Sequence, residues 1–285
     1  MLALPHTNSW GFIYRNPTPF VDAVPGVTVT PGASDVEGSV WGEIGPDASI
    51  TTDIFYCKLH VHSGATSGQI KSHLLDFGWD PAGGTAYVPW FSDLACGGSA
   101  AAALAGVVSG QEYHFPCKIP AGSAIAVRAQ GSNGTAGTVR VVGTFYGKPS
   151  RPELWQPAAY TETLGYTSGT LGTTFTPGTD AFGTWASLGT TTKKHFWAQI
   201  GAQLNNAATA QHSVQVQLGI GGGAADDTHV VTETTIHSDG SERISSTLQQ
   251  PCTWEIPAGA TVYVRGSCES APDTGWNATA VLFGG

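Results

Sequence analysis

Two histidines one residue apart, His60 and His62, are the first feature of the chain that could do chemistry. A strand throws alternate side chains to one face, so the pair could share a metal ion. Such a site needs a carboxylate a few residues on and a further histidine from a distant strand, and residues 63–69 contain neither Asp nor Glu. Asp226 and Asp227 sit in a turn rich in Gly and Thr, where side-chain and carbonyl oxygens could take calcium. The corresponding turn upstream carries only Asp80, and Asp populates turns for backbone reasons, so exposed turn acids are the expectation. Gly221-Gly222-Gly223 follows a strand pattern but lacks the helix and lysine of a phosphate loop, and reads as a hairpin turn. No Gly-x-Ser-x-Gly, His-Glu-x-x-His or dinucleotide fingerprint occurs. The residues therefore predict no cofactor and a non-enzymatic chain. A metal-dependent or hydrolytic enzyme on a jelly roll, using His60 and His62, is the remote alternative, and Asp226 and Asp227 are a separate, weak metal candidate.

The nine Trp and eight Tyr point to binding instead. Alternation places Tyr56 and Trp197 on an outer strand face, and Trp79, Trp90 and Trp276 lie in or beside turn-rich segments. Exposed rings of this kind stack on sugars or anchor protein interfaces, so these five are the candidate ligand or interface residues. Trp41 and Trp185 follow matched turns and are expected to fill equivalent core positions. Arg128 and Arg265 occupy the same place in two copies of one pattern, which predicts a structural salt bridge or carbonyl clamp.

Those residues are carried on an internal duplication. Ile119-Pro120-Ala121-Gly122-Ser123-Ala124-Ile125-Ala126-Val127-Arg128 recurs as Ile256-Pro257-Ala258-Gly259-Ala260-Thr261-Val262-Tyr263-Val264-Arg265. Thr28-Val29-Thr30-Pro31-Gly32 recurs as Thr174-Phe175-Thr176-Pro177-Gly178, and Phe55-Tyr56 as Phe196-Trp197. A period of this length is a whole domain, not a solenoid unit. The expected division is an N-terminal strap over 1–24, a first domain over 25–148, a Pro-rich linker over 149–164 and a second domain over 165–285. The strap and the linker share aromatics and prolines, so both are expected to lie on a neighbouring surface.

Val214, Val216, Leu218 and Ile220 alternate with Ser213, Gln215, Gln217 and Gly219, the period of a strand with one face in a core. Turns such as Pro31-Gly32, Asn133-Gly134 and Asp239-Gly240 separate many such strands. The pattern predicts an all-β protein of two tandem antiparallel β-sandwiches of jelly-roll type. The Ala-rich stretch 99–108 is the one place that could form a short helix.

Composition narrows the partners. The charged fraction of 12% is about half that of ordinary soluble chains, and the formal net charge is -9. With no Lys/Arg cluster, nucleic acid is not an expected partner. No apolar run reaches the length of a membrane span, and no secretory leader is recognisable, which predicts synthesis in a cytoplasm. Five cysteines without a Cys-x-x-Cys pair read as small buried apolar groups.

A duplicated, Gly/Thr/Ala-rich, charge-poor β chain closing each copy on a strand such as Gly143-Thr144-Phe145-Tyr146-Gly147 resembles virion proteins of tailed bacteriophages and phage-like particles. The Ile-Pro-Ala-Gly hairpins at 119–122 and 256–259 are similar to those of decoration, head-spike and tail-fibre domains. The resemblance implies a virion structural protein, peripheral on the head, that forms homo-oligomers and docks on capsid or tail proteins. It also implies a possible contact with a host surface glycan, and a tail or baseplate adhesin for host polysaccharide is the alternative.

Overall fold

The structure is a computed structural model that describes residues 10–15, 26–63, 71–98, 110–131, 138–149, 156–166, 170–204, 211–222, 227–239, 243–244, 255–269 and 275–285. It is all-β, with a single turn of 3-10 helix at Asp47–Ser49 among the described residues. The Ala-rich 99–108 stretch lies outside them.

Nine strands build the first half: β1 (Trp10–Arg15), β2 (Val27–Val29), β3 (Gly42–Gly45), β4 (Ile54–Ser63), β5 (Lys71–Asp80), β6 (Val88–Gly98), β7 (Gly110–Ile119), β8 (Ala124–Gly131) and β9 (Val139–Pro149). One sheet runs β2-β9-β4-β7 and the other β3-β8-β5-β6. Counted from β2, the orders are first-eighth-third-sixth and second-seventh-fourth-fifth, the double Greek key of a jelly roll. Leu59, Val61, Leu75, Phe77, Phe115, Ile125, Val127 and Phe145 point between the sheets and form the core.

The second half repeats this plan with β10 (Tyr160–Leu164), β11 (Thr173–Phe175), β12 (Gly178–Thr179), β13 (Ala186–Thr190), β14 (Trp197–Leu204), β15 (Gln211–Gly221), β16 (Thr228–Asp239), β17 (Arg243–Ile244), β18 (Thr261–Cys268) and β19 (Trp276–Gly284). One sheet runs β11-β19-β14, the other β13-β18-β15-β16. His195 bridges Ile256 as Ile54 pairs with Ile119 in the first half. The repeated Pro-Ala-Gly turns need their glycines, since Gly122 and Gly259 have φ of 76° and 78°, a region closed to most side chains.

β1 and β10 occupy equivalent places. β1 lies along the same edge of β9 as β2, pairing Phe12 with Tyr146, and β10 lies along the same edge of β19 as β11, pairing Thr163 with Val281. The end of the expected connector is thus an edge strand, placed after the last of its prolines.

The two halves meet in an end-on arrangement. β6 and β7, the outer strands of the first sandwich on one side, abut the face of the sheet formed by β10, β19, β11 and β14. All nine residues of β19 are buried, because both of its faces are covered. Ala278, Ala280 and Leu282 face the second core, whereas Val281 and Phe283 complete the first. Phe283 stacks on Phe115 at 5.7 Å and meets Phe91 edge-on at 6.1 Å.

Polar side chains of that face bond to backbone groups of the first sandwich. Ala95 N–H donates to Thr279 Oγ1 at 2.7 Å, and His73 N–H to Gln203 Oε1 at 2.9 Å. Gln203 also donates to the Leu171 carbonyl, and Trp197 Nε1 to the His114 carbonyl at 3.1 Å. Gly201 sits at the closest approach, where any β-carbon would stand 2.1 Å from the Ala95 carbonyl oxygen. Because backbone stands on both sides of that contact, Gly201→Val is expected to destabilise the chain by about 3 kcal/mol, read as a lower urea midpoint. A midpoint unchanged from the parent would show that the halves do not meet there.

Candidate functional site

The outer face of the β3-β8-β5-β6 sheet carries the densest charge cluster described. Arg128 on β8 stands across from Asp76 on β5 in the strand register. Its Nη2 lies 2.8 Å from Asp76 Oδ2 and its Nε 2.9 Å from Glu37 Oε1, while its guanidinium lies over the Trp41 ring at 4.7 Å. Asp76 is buried and also accepts the Asp93 N–H at 2.9 Å. Asp93 has a φ of 62°, a left-handed conformation that Asp tolerates better than most residues. Glu37 arrives from the other side, on a segment that bridges to Gln130.

Two carboxylates thus bind one guanidinium, and a third, that of Asp93, feels the charge of both Asp76 and Arg128. Burial, followed by the hydrogen bond to and charge of Asp76, pushes Glu37 up to about 8 against the pull of Arg128. Burial and the Asp76 charge likewise push Asp93 up to about 7. Both carboxyls are thus held above the usual carboxylate range by burial and by the neighbouring negative charge.

The second half supplies an internal comparison. Arg265 lies over Trp185 at 4.1 Å, and its Nε donates to Gln217 Oε1 at 3.0 Å. Gln217 takes the place of Asp76 and donates to Glu233 at 3.2 Å. Arginine on tryptophan is therefore common to both copies, and a salt bridge of the kind expected is made by Arg128, whereas Arg265 bonds to an amide in its place. The surplus of carboxylates belongs to the first copy alone. The two indole rings cap the outside of the sheets, half-buried, and do not fill the core positions expected of Trp41 and Trp185.

A second cluster occupies the outer face of β4 and β7. Glu112 is bound by Lys58 Nζ at 2.6 Å and His114 Nε2 at 2.8 Å, with His60 Nδ1 at 4.0 Å. His114 Nδ1 meets the Tyr56 hydroxyl. Burial pushes Glu112 up, but hydrogen bonds from His114, His60 and Lys58 outweigh it and hold the carboxyl well below its usual range. Burial pushes the Tyr56 phenol up. The carboxylate and third histidine that the His60 motif lacked locally come from β7, where Glu112 and His114 lie two residues apart on one face. The sequence gives that spacing but not the pairing of β7 with β4. Lys58 holds Glu112, and among the described residues no three His, Cys, Asp or Glu side chains are grouped to hold a metal. The side chain of His62 and all of Asp226 lie outside the described residues; Asp227 is an exposed turn residue.

The aromatic candidates require correction. Tyr56, Trp197 and Trp276 are only 3%, 1% and 1% exposed. Alternation assigned Trp197 to the correct face of β14, yet that face is covered by the first half. Trp276 packs in the second core near Phe175, and Trp79 and Trp90 pack on the first core with ring centres 4.9 Å apart. None of the first three is placed to stack on a sugar. Burial of Gln199, Gln203, Asn277 and Thr279, unaccompanied by any charged residue on that face, was the available signal of a covered surface.

No protein-family model and no curated protein matches the sequence. Similar solved structures include a chain of Broad bean stain virus (9% identity, 97% of this chain and 89% of that one, TM-score 0.36). A peptide-N(4)-(N-acetyl-β-D-glucosaminyl)asparagine amidase is similar at 9% identity over 93% of this chain and 92% of that one, with TM-score 0.35. A chain of infectious bursal disease virus, Gt strain, is similar at 10% identity over 90% and 66%, with TM-score 0.25. Likeness at this level assigns no activity. It does correct the expectation of a non-enzymatic chain, since an enzyme stands among the similar β structures and the architecture is no ground for excluding catalysis.

Proton retention by Glu37 gives a signed expectation. A carboxyl raised from 4.5 to about 8 on folding contributes stability that is fully present below pH 4.5 and lost as pH rises to about 8. Urea midpoints of the parent should fall across that window, and Glu37→Gln should flatten the fall. An identical pH profile for both chains would show that Glu37 titrates normally.

Proposed function

We propose that the chain is a structural subunit of a virus particle, a peripheral head component of a tailed bacteriophage or phage-like particle such as a spike, fibre or decoration protein. In this reading it self-associates and docks on other virion proteins. Its two halves are two copies of one jelly-roll domain, divided near residues 148 and 165, with 1–24 and 149–164 as strap and linker.

The observation that carries the reading is an apolar patch on the first half. Val36, Val40 and Val88 are 52%, 74% and 63% exposed, and Val88 follows Tyr87, whose ring lies 5.6 Å from Trp41. A groove of about 440 Å³ beside Trp41 is lined by residues 28–32 and 38–42. Large exposed aliphatic side chains such as Val40, which lines this groove beside Trp41, favour burial against a partner protein. The low charge of the whole chain points the same way, since it leaves little to keep such surfaces solvated. A glycan-binding role would have to use residues other than Tyr56, Trp197 and Trp276, which are buried.

Light scattering of the full chain over a range of concentrations tests the reading. A defined oligomer that survives dilution is expected, and Val40→Asp should reduce it to monomer without altering the circular dichroism spectrum. A parent chain that is monomeric at every concentration would overturn self-assembly.

A further inference from the structure

We propose that Cys57 and Cys117 form a disulfide that fastens β7 to β4 when the chain meets an oxidising environment. Their sulfurs lie 3.2 Å apart, closer than two unbonded sulfurs ordinarily approach, and a shift of about 1.2 Å brings them to the bond length of about 2.05 Å. Both thiols are free and fully buried. They sit on adjacent antiparallel strands, next to the register irregularity between Ile54 and Tyr56, where the ladder has slack to absorb the shift.

Position gives the bond a consequence. Among the described residues β7 is the outer strand of its sheet, paired there with β4 alone. The second half rests on this strand: the His114 carbonyl accepts from Trp197, and Phe115 stacks on Phe283. A cross-link at Cys117, two residues from Phe115, therefore secures the element on which the second half is seated. The other described cysteines are placed differently: Cys268 Sγ lies against the Gly178 carbonyl, and Cys96 is on the opposite sheet.

The oxidant is a small-molecule disulfide such as oxidised glutathione. One cysteine thiolate attacks a sulfur of the oxidant, forming a mixed disulfide and expelling one glutathione. The second thiolate then attacks the protein-bound sulfur, closing the Cys57–Cys117 bond and expelling the other glutathione. The protein gives up two electrons and two protons, and the oxidant becomes two thiols. Burial pushes the Cys57 thiol well above its usual range, so exchange takes place during folding or while β7 is detached from β4. The same burial shields the closed bond from reductants. A chain made in a reducing cytoplasm would carry the thiols and acquire the bond on release.

The test is to refold the full chain in a glutathione redox buffer, alkylate it under denaturing conditions and map the peptides. A linked pair Cys57–Cys117, an intact mass lower by about 2 Da and its reversal by reductant are expected. The oxidised form should also melt about 5 °C above the reduced form of the same chain. Alkylation of both thiols after refolding in oxidising buffer would overturn the proposal, as would Cys57 linked to Cys96 or Cys252. Because reduced and oxidised forms of one chain carry the comparison, no variant has to fold for the result to decide.

Discussion

Backbone hydrogen bonding at the open side of the first sandwich is the constraint on which the rest of the structure depends. Where β6 and β7 end their two sheets, amide groups and the aromatic core are left without a neighbouring strand, and each unpaired buried group costs on the order of 1–3 kcal/mol. The second half answers this with a sheet face laid across the edge. Thr279 accepts from the Ala95 amide of β6, Trp197 donates to the His114 carbonyl of β7, Gln203 accepts from His73 on the adjoining β5, and Phe283 enters between Phe91 and Phe115. The first core is thus closed by residues more than eighty positions away, and the second sheet must be apolar on one face and neutral-polar on the other. Gly201 follows from the same need, since backbone meets backbone only where no side chain intervenes.

Comparison of the halves separates what the fold requires from what one copy has added. Both carry an arginine in the middle of the seventh strand, lying on a tryptophan from the loop before the second strand, where the pair covers the outside of the sheet. Only the first copy surrounds that arginine with Glu37, Asp76 and Asp93; the second has Gln217 and Glu233. The outward face of the third strand diverges in the opposite sense. Tyr56, Lys58 and His60 in the first copy correspond to Trp197, Gln199 and Gly201 in the second, so ionisable groups survive where the face is partly open and vanish where it is covered.

This explains which parts were legible in the sequence. Alternation in residues 213–220 and the repeated Ile-Pro-Ala-Gly turns depend on local backbone geometry, so strands, sandwich class and duplication could be read directly. Exposure of Trp197 and Tyr56 was not legible, because alternation fixes the face a side chain occupies and says nothing about what lies on that face. Glu112 and His114 escaped notice for a related reason: they join His60 and Lys58 only through the pairing of β7 with β4, a contact of high sequence separation.

The kinds of polar group used inside and outside the seam follow from desolvation. A charge taken into a protein–protein seam loses several kcal/mol of hydration that a single partner rarely restores, whereas an amide or hydroxyl loses less and is satisfied by one backbone group. The seam accordingly uses Gln, Asn, Thr and Trp, whose bonds change little with pH and salt. Charges are left to the outer faces, where Glu37, Asp93 and Arg128 remain in partial contact with water and their balance shifts with proton concentration. The bonds that join the halves are therefore made by groups that carry no charge to gain or lose with pH.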